Sequence, residues 1–192
     1  MELVIASNNK GKIKEIESIL TGLSMLSLKD VGFTADIPEP YDTFKENAHT
    51  KAATVHAFCG KNVFADDSGI CAHALNGAPG VISARYAGEP LDDQRNLQRL
   101  LNNLREKKDR TAYYKAVICL IWLGEVYYFE GICNGSIIEQ PRGKGGFGYD
   151  PIFVPDGHTQ TFAELPLDIK NDISHRGKAV RKMAAFIKER MK

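Results

Sequence analysis

Apolar and polar positions form alternating blocks along the chain, and their spacing predicts strands and helices in turn. Residues 2–6 are a short apolar run of the kind found in buried strands. Residues 10–20 instead repeat isoleucine and leucine at intervals of three or four, which predicts one apolar face of a helix. The polar residues 7–9 separate the two segments. The chain is therefore expected to open with a strand, a turn and a helix.

Three further segments have helical spacing. The first follows Thr43, which forms a capping box with Glu46, a pair that commonly starts a helix. The second covers 92–105 and has a leucine-rich face. The third starts near Ser174, and its predicted apolar face extends to Met191.

Strand patterns occupy most of the remaining chain. A short strand is predicted near 25–28, and two long β segments over 112–123 and 126–138. The long segments are expected to pair in antiparallel fashion through a turn at Gly124-Glu125. Their tryptophan and tyrosines are interpreted as core or sheet-surface residues. The pattern as a whole predicts one mixed α/β domain over 1–192.

Residues 63–69, Val-Phe-Ala-Asp-Asp-Ser-Gly, combine a buried strand with two adjacent carboxylates. The sequence predicts that the strand ends at the acids and that Ser68-Gly69 turns the chain. Neighbouring carboxylates repel each other where the dielectric constant is low, so a partner must offset their charge. A hard cation such as Mg²⁺ is the usual partner of carboxylate oxygens. The alternative is a polar turn without a ligand.

The turn before the first predicted helix has the composition of an anion site. A strand, a short polar turn and a helix place backbone N–H groups where an anion can bind. This turn adds a hydroxyl from Ser7, an amide from Asn9 and two ammonium groups from Lys10 and Lys12. A capped helix with solvated lysines is the alternative interpretation.

Several other polar residues are candidates for a site. Glu39 lies between two prolines, which hold its backbone extended. Lys51 lies off the apolar face of its helix and would ordinarily be a solvated lysine. Lys170, His175 and Arg176 place cations around a helix N-terminus, against the preference of the helix dipole. Such violations often mark a site, although a solvated charge cluster remains the alternative.

Residues 143–148 match the glycine spacing G-x-G-x-x-G of dinucleotide-binding proteins. That fingerprint requires a strand before it and a helix after it, and Asp150-Pro151 prevents a helix from starting. A P-loop motif is absent as well. The segment is therefore predicted to be a flexible glycine loop. It carries one exposed aromatic residue, Phe147, which is suited to stacking on a flat ring.

Composition limits the partners of the chain. Lys and Arg number 25 and Asp and Glu number 24, so no overall charge favours nucleic acid or a membrane surface. The four cysteines lack zinc-site spacing and are interpreted as reduced, mostly buried thiols. No apolar run is long enough to span a bilayer and no signal-peptide pattern opens the chain. A cytoplasmic location is therefore expected.

The candidate residues together suit a nucleoside triphosphate and its metal ion. Cations and helix-end N–H groups bind phosphates, and carboxylates bind Mg²⁺. An aromatic side chain can stack on the base, and arginine N–H groups can donate to a base edge.

Six motifs carry a resemblance to a known family over nearly the whole chain. They are SNNKGK at 7–12, FKENAHTKA at 44–52, ADDSG at 65–69, GAPGVISARYAG at 77–88, GGFGYDPIF at 145–153 and ISHRGKA at 173–179. Their order makes the signal specific. The chain resembles the Ham1/RdgB/inosine triphosphatase family of non-canonical purine nucleoside triphosphate pyrophosphatases.

The resemblance implies hydrolysis of ITP, dITP and XTP to the monophosphate and pyrophosphate with Mg²⁺ as cofactor. Such an enzyme removes deaminated nucleotides from the DNA and RNA precursor pools. The family fold is an elongated mixed α/β structure, in which a central mixed sheet is flanked by helices and a cleft separates two lobes. A homodimer is implied, with no nucleic-acid or membrane partner.

The resemblance also assigns roles to residues. Lys51 faces the phosphates, Glu39 and Asp67 hold the metal, and Asp67 accepts a proton from the attacking water while Asp66 supports it. The residues expected to hold the triphosphate are Ser7, Asn8, Asn9, Lys10, Gly11 and Lys12. The residues expected to line the nucleotide site are Ser68, Phe147, Gly148, Tyr149, Asp150, Lys170, His175 and Arg176. Arg176, or backbone N–H groups near 175–176, are expected to donate to the 6-oxo group of the base.

Two other functions fit parts of the pattern. One is a Maf-type pyrophosphatase acting on other nucleotides, although the opening motif of that class carries arginines where this chain has Asn9 and Lys12. The other is a regulator that binds nucleotides without hydrolysing them. Retention of Asp67, Glu39 and Lys12 together argues against the regulator.

Overall fold

The computed structural model describes residues 2–191, which form six β-strands and five α-helices. In chain order these are β1 Glu2–Ile5, α1 Lys10–Ile19, β2 Ser24–Leu26, α2 Phe44–Cys59, β3 Val63–Ala72, α3 Asp93–Asn103, β4 Thr111–Trp122, β5 Glu125–Ile137, β6 Phe153–Pro155, α4 Leu167–Ile173 and α5 His175–Arg190. Short 3₁₀ helices cover His73–Leu75, Gly80–Arg85 and Asp150–Ile152. The predicted mixed α/β class is confirmed. Within 2–191, no helix is both long and apolar enough to cross a membrane.

The strands form one mixed sheet in the order β2-β1-β3-β4-β5-β6. Strand β1 is parallel to both β2 and β3, whereas β5 and β6 are antiparallel. Strands β4 and β5 are joined by only two residues, Leu123 (φ 51°) and Gly124 (φ 84°). Positive φ at both positions is typical of the tightest β-hairpin turns. The predicted turn at Gly124-Glu125 is therefore displaced by one residue.

The chain divides into two compact units. The first comprises the residues up to Asp67, residues 116–131 and the residues from Arg176 onward. The second comprises residues 68–115 and 132–175. Each unit is thus assembled from separate stretches of chain, and strands β3, β4 and β5 contribute residues to both.

In the first unit, the alternation of side chains along β1 creates two apolar layers. Leu3 and Ile5 belong to a cluster that includes residues of α1 and α5. Val4 belongs to a second cluster, in which the buried alanines of α2 take part. The first unit therefore has helices packed on both faces of β1, as expected for a parallel strand.

The second unit has its own apolar cluster. Leu97, Leu100 and Leu104 are buried in it, in agreement with the predicted apolar face of α3. Three aromatic rings meet in the same cluster. The Tyr114 ring centroid lies 4.9 Å from that of Phe153 and 5.8 Å from that of Phe162.

The predicted turn at Ser68-Gly69 is wrong, because β3 continues to Ala72. Gly69 has a different function, since a Cβ atom there would lie 2.2 Å from the carbonyl oxygen of Gly80 and 2.4 Å from Ser83 Oγ. The glycine therefore permits close approach of the 3₁₀ helix Gly80–Arg85 to the strand. A glycine in this role looks like a turn signal in the sequence.

Three other features differ from the sequence patterns. The patterns do not predict β6 or α4, which have only three and seven residues. Met191, predicted on the apolar face of the last helix, is 50% exposed and follows the end of α5.

Candidate active site

The turn before α1 lies between a strand and a helix, as the sequence predicts. Asn9 is the N-cap of α1, and its side-chain oxygen accepts a hydrogen bond from Lys12 N at 3.0 Å. Asn9 N in turn donates to Ser7 Oγ at 3.2 Å. Asn8 and Lys10 are exposed beside this turn, whereas Gly11 and Lys12 are half-buried. The helix capping therefore orders the turn and leaves the Lys10 side chain exposed next to it.

The two adjacent aspartates of β3 are buried and have different partners. Asp66 Oδ2 lies 2.9 Å from Lys12 Nζ and 3.3 Å from Arg176 Nε. Asp67 Oδ1 lies 2.9 Å from Lys51 Nζ. Consecutive strand residues point to opposite faces of a sheet, which explains why the two carboxylates meet different cations. The interpretation of Asp-Asp as a solvated polar turn is wrong.

Asp66 is held in its ionised form. Burial alone would raise the pKa of its carboxyl group, but Lys12 and Arg176 together hold the pKa well below its usual range. Asp66 is therefore ionised at neutral pH, which suits a group that binds cations better than a proton acceptor.

Arg176 links Asp66 to a residue that the sequence does not single out. Its Nη1 donates to Glu15 Oε2 at 2.5 Å, and Glu15 is only 3% exposed. Burial would lower the pKa of Arg176, but the carboxylates of Asp66 and Glu15 outweigh it and raise the pKa. These ion pairs explain a cation in the first turn of α5. The interpretation of a solvated cluster there is wrong for Arg176.

Lys51 joins the second aspartate to Glu39. Its Nζ donates to Glu39 Oε1 at 2.7 Å, to Asp67 Oδ1 at 2.9 Å and to the backbone oxygen of Asp66 at 3.0 Å. Burial would lower the pKa of Lys51, but Asp67 and Glu39 outweigh it and raise the pKa. The interpretation of Lys51 as a solvated lysine is wrong, because the side chain is buried in an ion cluster.

Asp67 differs from Asp66 in the direction of its pKa shift and in the partners of its oxygens. Burial, the largest influence, raises the pKa of its carboxyl group despite the nearby Lys51. Its second oxygen, Oδ2, is buried and has no hydrogen-bond partner among the residues that the structure describes. Glu39 supplies a further carboxylate on the same lysine.

This donor set fits a hard divalent cation in part. Carboxylate oxygens are its preferred ligands, and Asp67 Oδ2 is available for one. Over residues 2–191, no group of three or more histidine, cysteine or acidic side chains is placed to hold a metal ion. A cation here would take its remaining ligands from water and phosphate, as Mg²⁺ commonly does.

A second group of predicted residues comes together in the second unit. Lys170 Nζ lies 2.5 Å from Asp150 Oδ2 and 5.3 Å from the ring centroids of both Phe147 and Phe162. The same carboxylate oxygen accepts a hydrogen bond from Phe147 N at 2.9 Å. Phe147 is half-buried, whereas the sequence predicts an exposed ring. A charged pair thus lies beside an accessible aromatic ring.

The other predicted residues of this unit have different neighbours. His175 stacks on Tyr114, with ring centroids 4.5 Å apart and planes 11° apart. Tyr149 is buried, and its hydroxyl donates to Ser83 O at 2.8 Å. Gly148 N donates to Asp93 Oδ2 at 2.8 Å. Ser68 is half-buried in β3.

The sequence patterns do not reveal Glu15 or Asp93. Glu15 directly precedes Ile16 on the buried side of α1, and an acid beside an apolar face was the available signal. Asp93 follows the N-cap Asp92, and a second acid that the cap does not require was the signal there.

The sequence is similar to that of known proteins over nearly its whole length. The family model described as the Ham1 family matches residues 3–186. A Flavobacterium johnsoniae protein named dITP/XTP pyrophosphatase is 51% identical over 184 residues, which cover 95% of this chain and 96% of the relative. A Bacillus subtilis protein of the same name is 46% identical over 191 residues, with 97% and 96% covered.

Solved structures show the same relationship. The Staphylococcus aureus Ham1 protein is 39% identical with a TM-score of 0.90, and the match covers 99% of this chain and 100% of that one. A Ham1 protein from Coxiella burnetii is 38% identical with a TM-score of 0.90, and 98% and 99% are covered. Sequence and fold agree over nearly the full length, and the chain belongs to the Ham1 family.

Proposed function

We propose that this chain is a nucleoside triphosphate pyrophosphatase that hydrolyses ITP, dITP and XTP to the monophosphate and pyrophosphate. Relatives that align with nearly all of it carry the name dITP/XTP pyrophosphatase. The observation that carries the proposal is the environment of Asp67. Its carboxylate is buried, is paired with Lys51 beside Glu39, and keeps one oxygen without a partner among residues 2–191.

Glu39 and Asp67 would hold the cofactor, for which we propose Mg²⁺. When bound, the ion would polarise the attacking water and offset phosphate charge. Lys51 Nζ lies between the two carboxylates and donates to one oxygen of each, which holds both side chains in place.

Asp67 would accept the proton of the attacking water. The water attacks the α-phosphorus, the bond from that phosphorus to the bridging oxygen of pyrophosphate breaks, and the monophosphate is released. The raised pKa makes Asp67 a stronger base than an ordinary aspartate, provided that it is ionised. Asp66, whose pKa is lowered, would hold Lys12 in place instead.

The triphosphate would be bound at the start of α1. The N–H groups of a first helical turn favour anions, and Ser7 and Asn9 order that turn. Lys12 and Lys51 would offset the charge that builds up on the leaving pyrophosphate. The full set proposed for the triphosphate is Ser7, Asn8, Asn9, Lys10, Gly11, Lys12 and Lys51.

The base would be bound by residues of the second unit. Phe147 would stack on its ring, with Lys170 and Asp150 beside the ring. The Nε and Nη1 groups of Arg176 donate to carboxylates, so the backbone N–H groups at 175–176 are the better donors for a 6-oxo group. The remaining residues proposed for the nucleotide are Ser68, Gly148, Tyr149 and His175.

A single functional domain, a homodimer and a cytoplasmic location complete the proposal, and they follow from the family resemblance. Sedimentation of the purified protein would measure its oligomeric state. A monomer at micromolar concentration would contradict the homodimer.

Pyrophosphate release with Mg²⁺, measured for ITP, dITP, XTP, dATP, GTP and dTTP, tests the function. We expect kcat/KM for ITP to exceed that for the adenine nucleotide by about 100-fold or more. The reason is that the 6-amino group of adenine would place its N–H donors against the N–H donors of the protein. Equal values would contradict the proposed selection of the base. Preference for dTTP would favour the Maf-type activity, and no release with any nucleotide would favour the regulator.

The role of Asp67 is tested by Asp67→Asn. The matched control is Asp30→Asn. Asp30 is an exposed acid of the same unit, and its side chain accepts hydrogen bonds from the backbone N–H and the hydroxyl of Ser27. We expect the first variant to lose about 100-fold or more in kcat and the control to keep wild-type turnover. Near-wild-type turnover of Asp67→Asn at saturating Mg²⁺ would exclude Asp67 as the base.

A further inference from the structure

The glycine loop, residues 143–148, has no regular secondary structure to hold its aromatic residue in place. None of the described residues 138–149 belongs to a helix or a strand. Gly143, Gly146 and Gly148 have φ values of 85°, 71° and 59°, a region that glycine enters at little cost. The position of Phe147 therefore depends on individual contacts made by the loop backbone.

Two of those contacts come from nearby residues. Gly145 N donates to Ala163 O at 3.0 Å, and Phe147 N donates to Asp150 Oδ2 at 2.9 Å. Asp150 also binds Lys170, so this second contact belongs to the group already proposed to bind the base.

A third contact comes from a different element. Asp93 Oδ2 accepts a hydrogen bond from Gly148 N at 2.8 Å, and Asp93 belongs to the first turn of α3. Gly148 directly follows Phe147, so this bond helps to hold the peptide group that leads out of the aromatic residue, whose carbonyl oxygen also accepts from Asp150 N at 3.2 Å. A hydrogen bond to an ionised acceptor is stronger than one between neutral groups.

Asp93 does not cap its own helix, although as an acid in the first turn it interacts favourably with the helix dipole. The N-cap of α3 is Asp92, whose side chain accepts from Arg95 N at 2.8 Å. Asp93 is exposed and does not take part in the apolar core. The two adjacent acids therefore differ in what they hold, since one caps the helix and the other binds the glycine loop.

We propose that Asp93 is a positioning residue for the nucleotide base, which acts by holding Gly148 and thereby the ring of Phe147. This inference rests on the proposed function for its kinetic consequences, although not for its structural ones. Asp93 touches neither the base nor the phosphates. Its loss should weaken binding of the nucleoside part and leave the hydrolytic step unchanged.

Steady-state kinetics with ITP compare Asp93→Ala, Asp93→Asn and the matched control Asp92→Ala. We expect Asp93→Ala to raise KM about 10-fold, as loss of one charge-assisted hydrogen bond would, with kcat within about twofold. Asp93→Asn keeps an acceptor oxygen and should stay within about threefold of wild-type KM. Asp92→Ala should lower the melting temperature and leave KM unchanged.

Product inhibition tests the binding of the nucleoside part and the binding of the phosphates separately. In Asp93→Ala, inhibition by inosine monophosphate should weaken in step with KM, whereas inhibition by pyrophosphate should not change. Equal weakening of both inhibitors would overturn the proposal. An increase of KM in Asp92→Ala as large as that in Asp93→Ala would also overturn it, because both acids would then act through the helix.

Amide hydrogen exchange of the nucleotide-free protein gives a readout that does not depend on activity. Residues 143–149 should exchange faster in Asp93→Ala than in wild type and at the wild-type rate in Asp92→Ala. Unchanged exchange in Asp93→Ala would overturn the proposal. A wild-type protein that hydrolyses no nucleotide would contradict the proposed function alone, since the exchange result would still decide whether Asp93 holds the loop.

Discussion

Two neighbouring residues of β3, Asp66 and Asp67, have the same side chain, but their pKa values are shifted in opposite directions. Lys12 and Arg176 lower the pKa of Asp66, whereas burial raises the pKa of Asp67. The difference follows from strand geometry, because alternate residues face different neighbours. It divides the pair into a fixed anion and a group that can take up a proton.

The two pKa shifts predict opposite effects on stability. For Asp67 the folded-state pKa lies above the unfolded value, so its ionisation costs stability once the pH exceeds both values. We therefore expect Asp67→Asn, measured at pH 7 with a chelator, to melt no lower than wild type while losing about 100-fold or more in kcat. Thermal unfolding and pyrophosphate release measure both quantities, and a clear loss of stability would contradict the raised pKa.

Asp66→Asn should behave in the opposite way. Its folded-state pKa lies below the unfolded value, so its stabilising effect is present at neutral pH and is lost as the pH falls below about 4. The variant also leaves the buried Arg176 with one carboxylate fewer, and we expect a loss of about 3 kcal/mol at pH 7. Urea unfolding across pH 3–7 would show whether the difference from wild type shrinks in acid. A constant difference would mean that charge is not the cause.

At this scale the sequence predicts which residue types matter better than it predicts their surroundings. The family resemblance implies roles for Asp67, Lys51 and Glu39, and the structure brings these three together. The sequence does not predict that Lys51 is buried. Helical spacing identifies the apolar face of α2, but it does not show which residues pack against the side of the helix that carries Lys51. Glu15 escapes notice for the same reason, since its partner Arg176 lies 161 residues further along the chain.

Among the elements, those with long periodic patterns are predictable and the short ones are not. Helices α1, α2, α3 and α5 follow from their apolar spacing and caps, within a few residues at each end. Strand β6 and helix α4 have three and seven residues, too few for a period to be evident. The continuation of β3 through Ser68-Gly69 depends on contact with Gly80 and Ser83, which local sequence does not encode.

Gly69→Ala tests this contact between elements. The added methyl group would meet Gly80 O at 2.2 Å, so backbone must shift, and we expect about 1–3 kcal/mol of destabilisation. Because Gly69 lies two residues from Asp67, kcat/KM should fall as well. The control is Gly22→Ala, where a Cβ meets nothing within 4 Å and only the φ of 90° opposes the change. Its activity should remain that of wild type, and an equal loss of activity in the control would contradict the local explanation.

For the whole molecule, the proposed metal should matter for activity and little for folding. Lys51 already pairs with both Glu39 and Asp67, so their charges are offset by the chain itself. We expect EDTA to abolish pyrophosphate release, to leave the circular dichroism spectrum unchanged and to shift the melting temperature by only a few degrees. Restored release on adding Mg²⁺ completes the measurement. Unfolding in EDTA would show instead that the cation holds the fold.

The ion pair between Asp66 and Arg176 has a consequence for how the protein is made. Its two partners lie 110 residues apart, in β3 and at the start of α5. During synthesis β3 and Lys12 leave the ribosome long before α5, so Asp66 has only one of its two cationic partners until α5 is available to dock. Contacts of this sequence separation slow folding, since a long loop must close before they form. Ribosome-bound chains that stop before residue 176 should therefore remain more protease-sensitive around β3 than the full chain, and the ion pair of Asp66 with Arg176 should form only in the last step of folding.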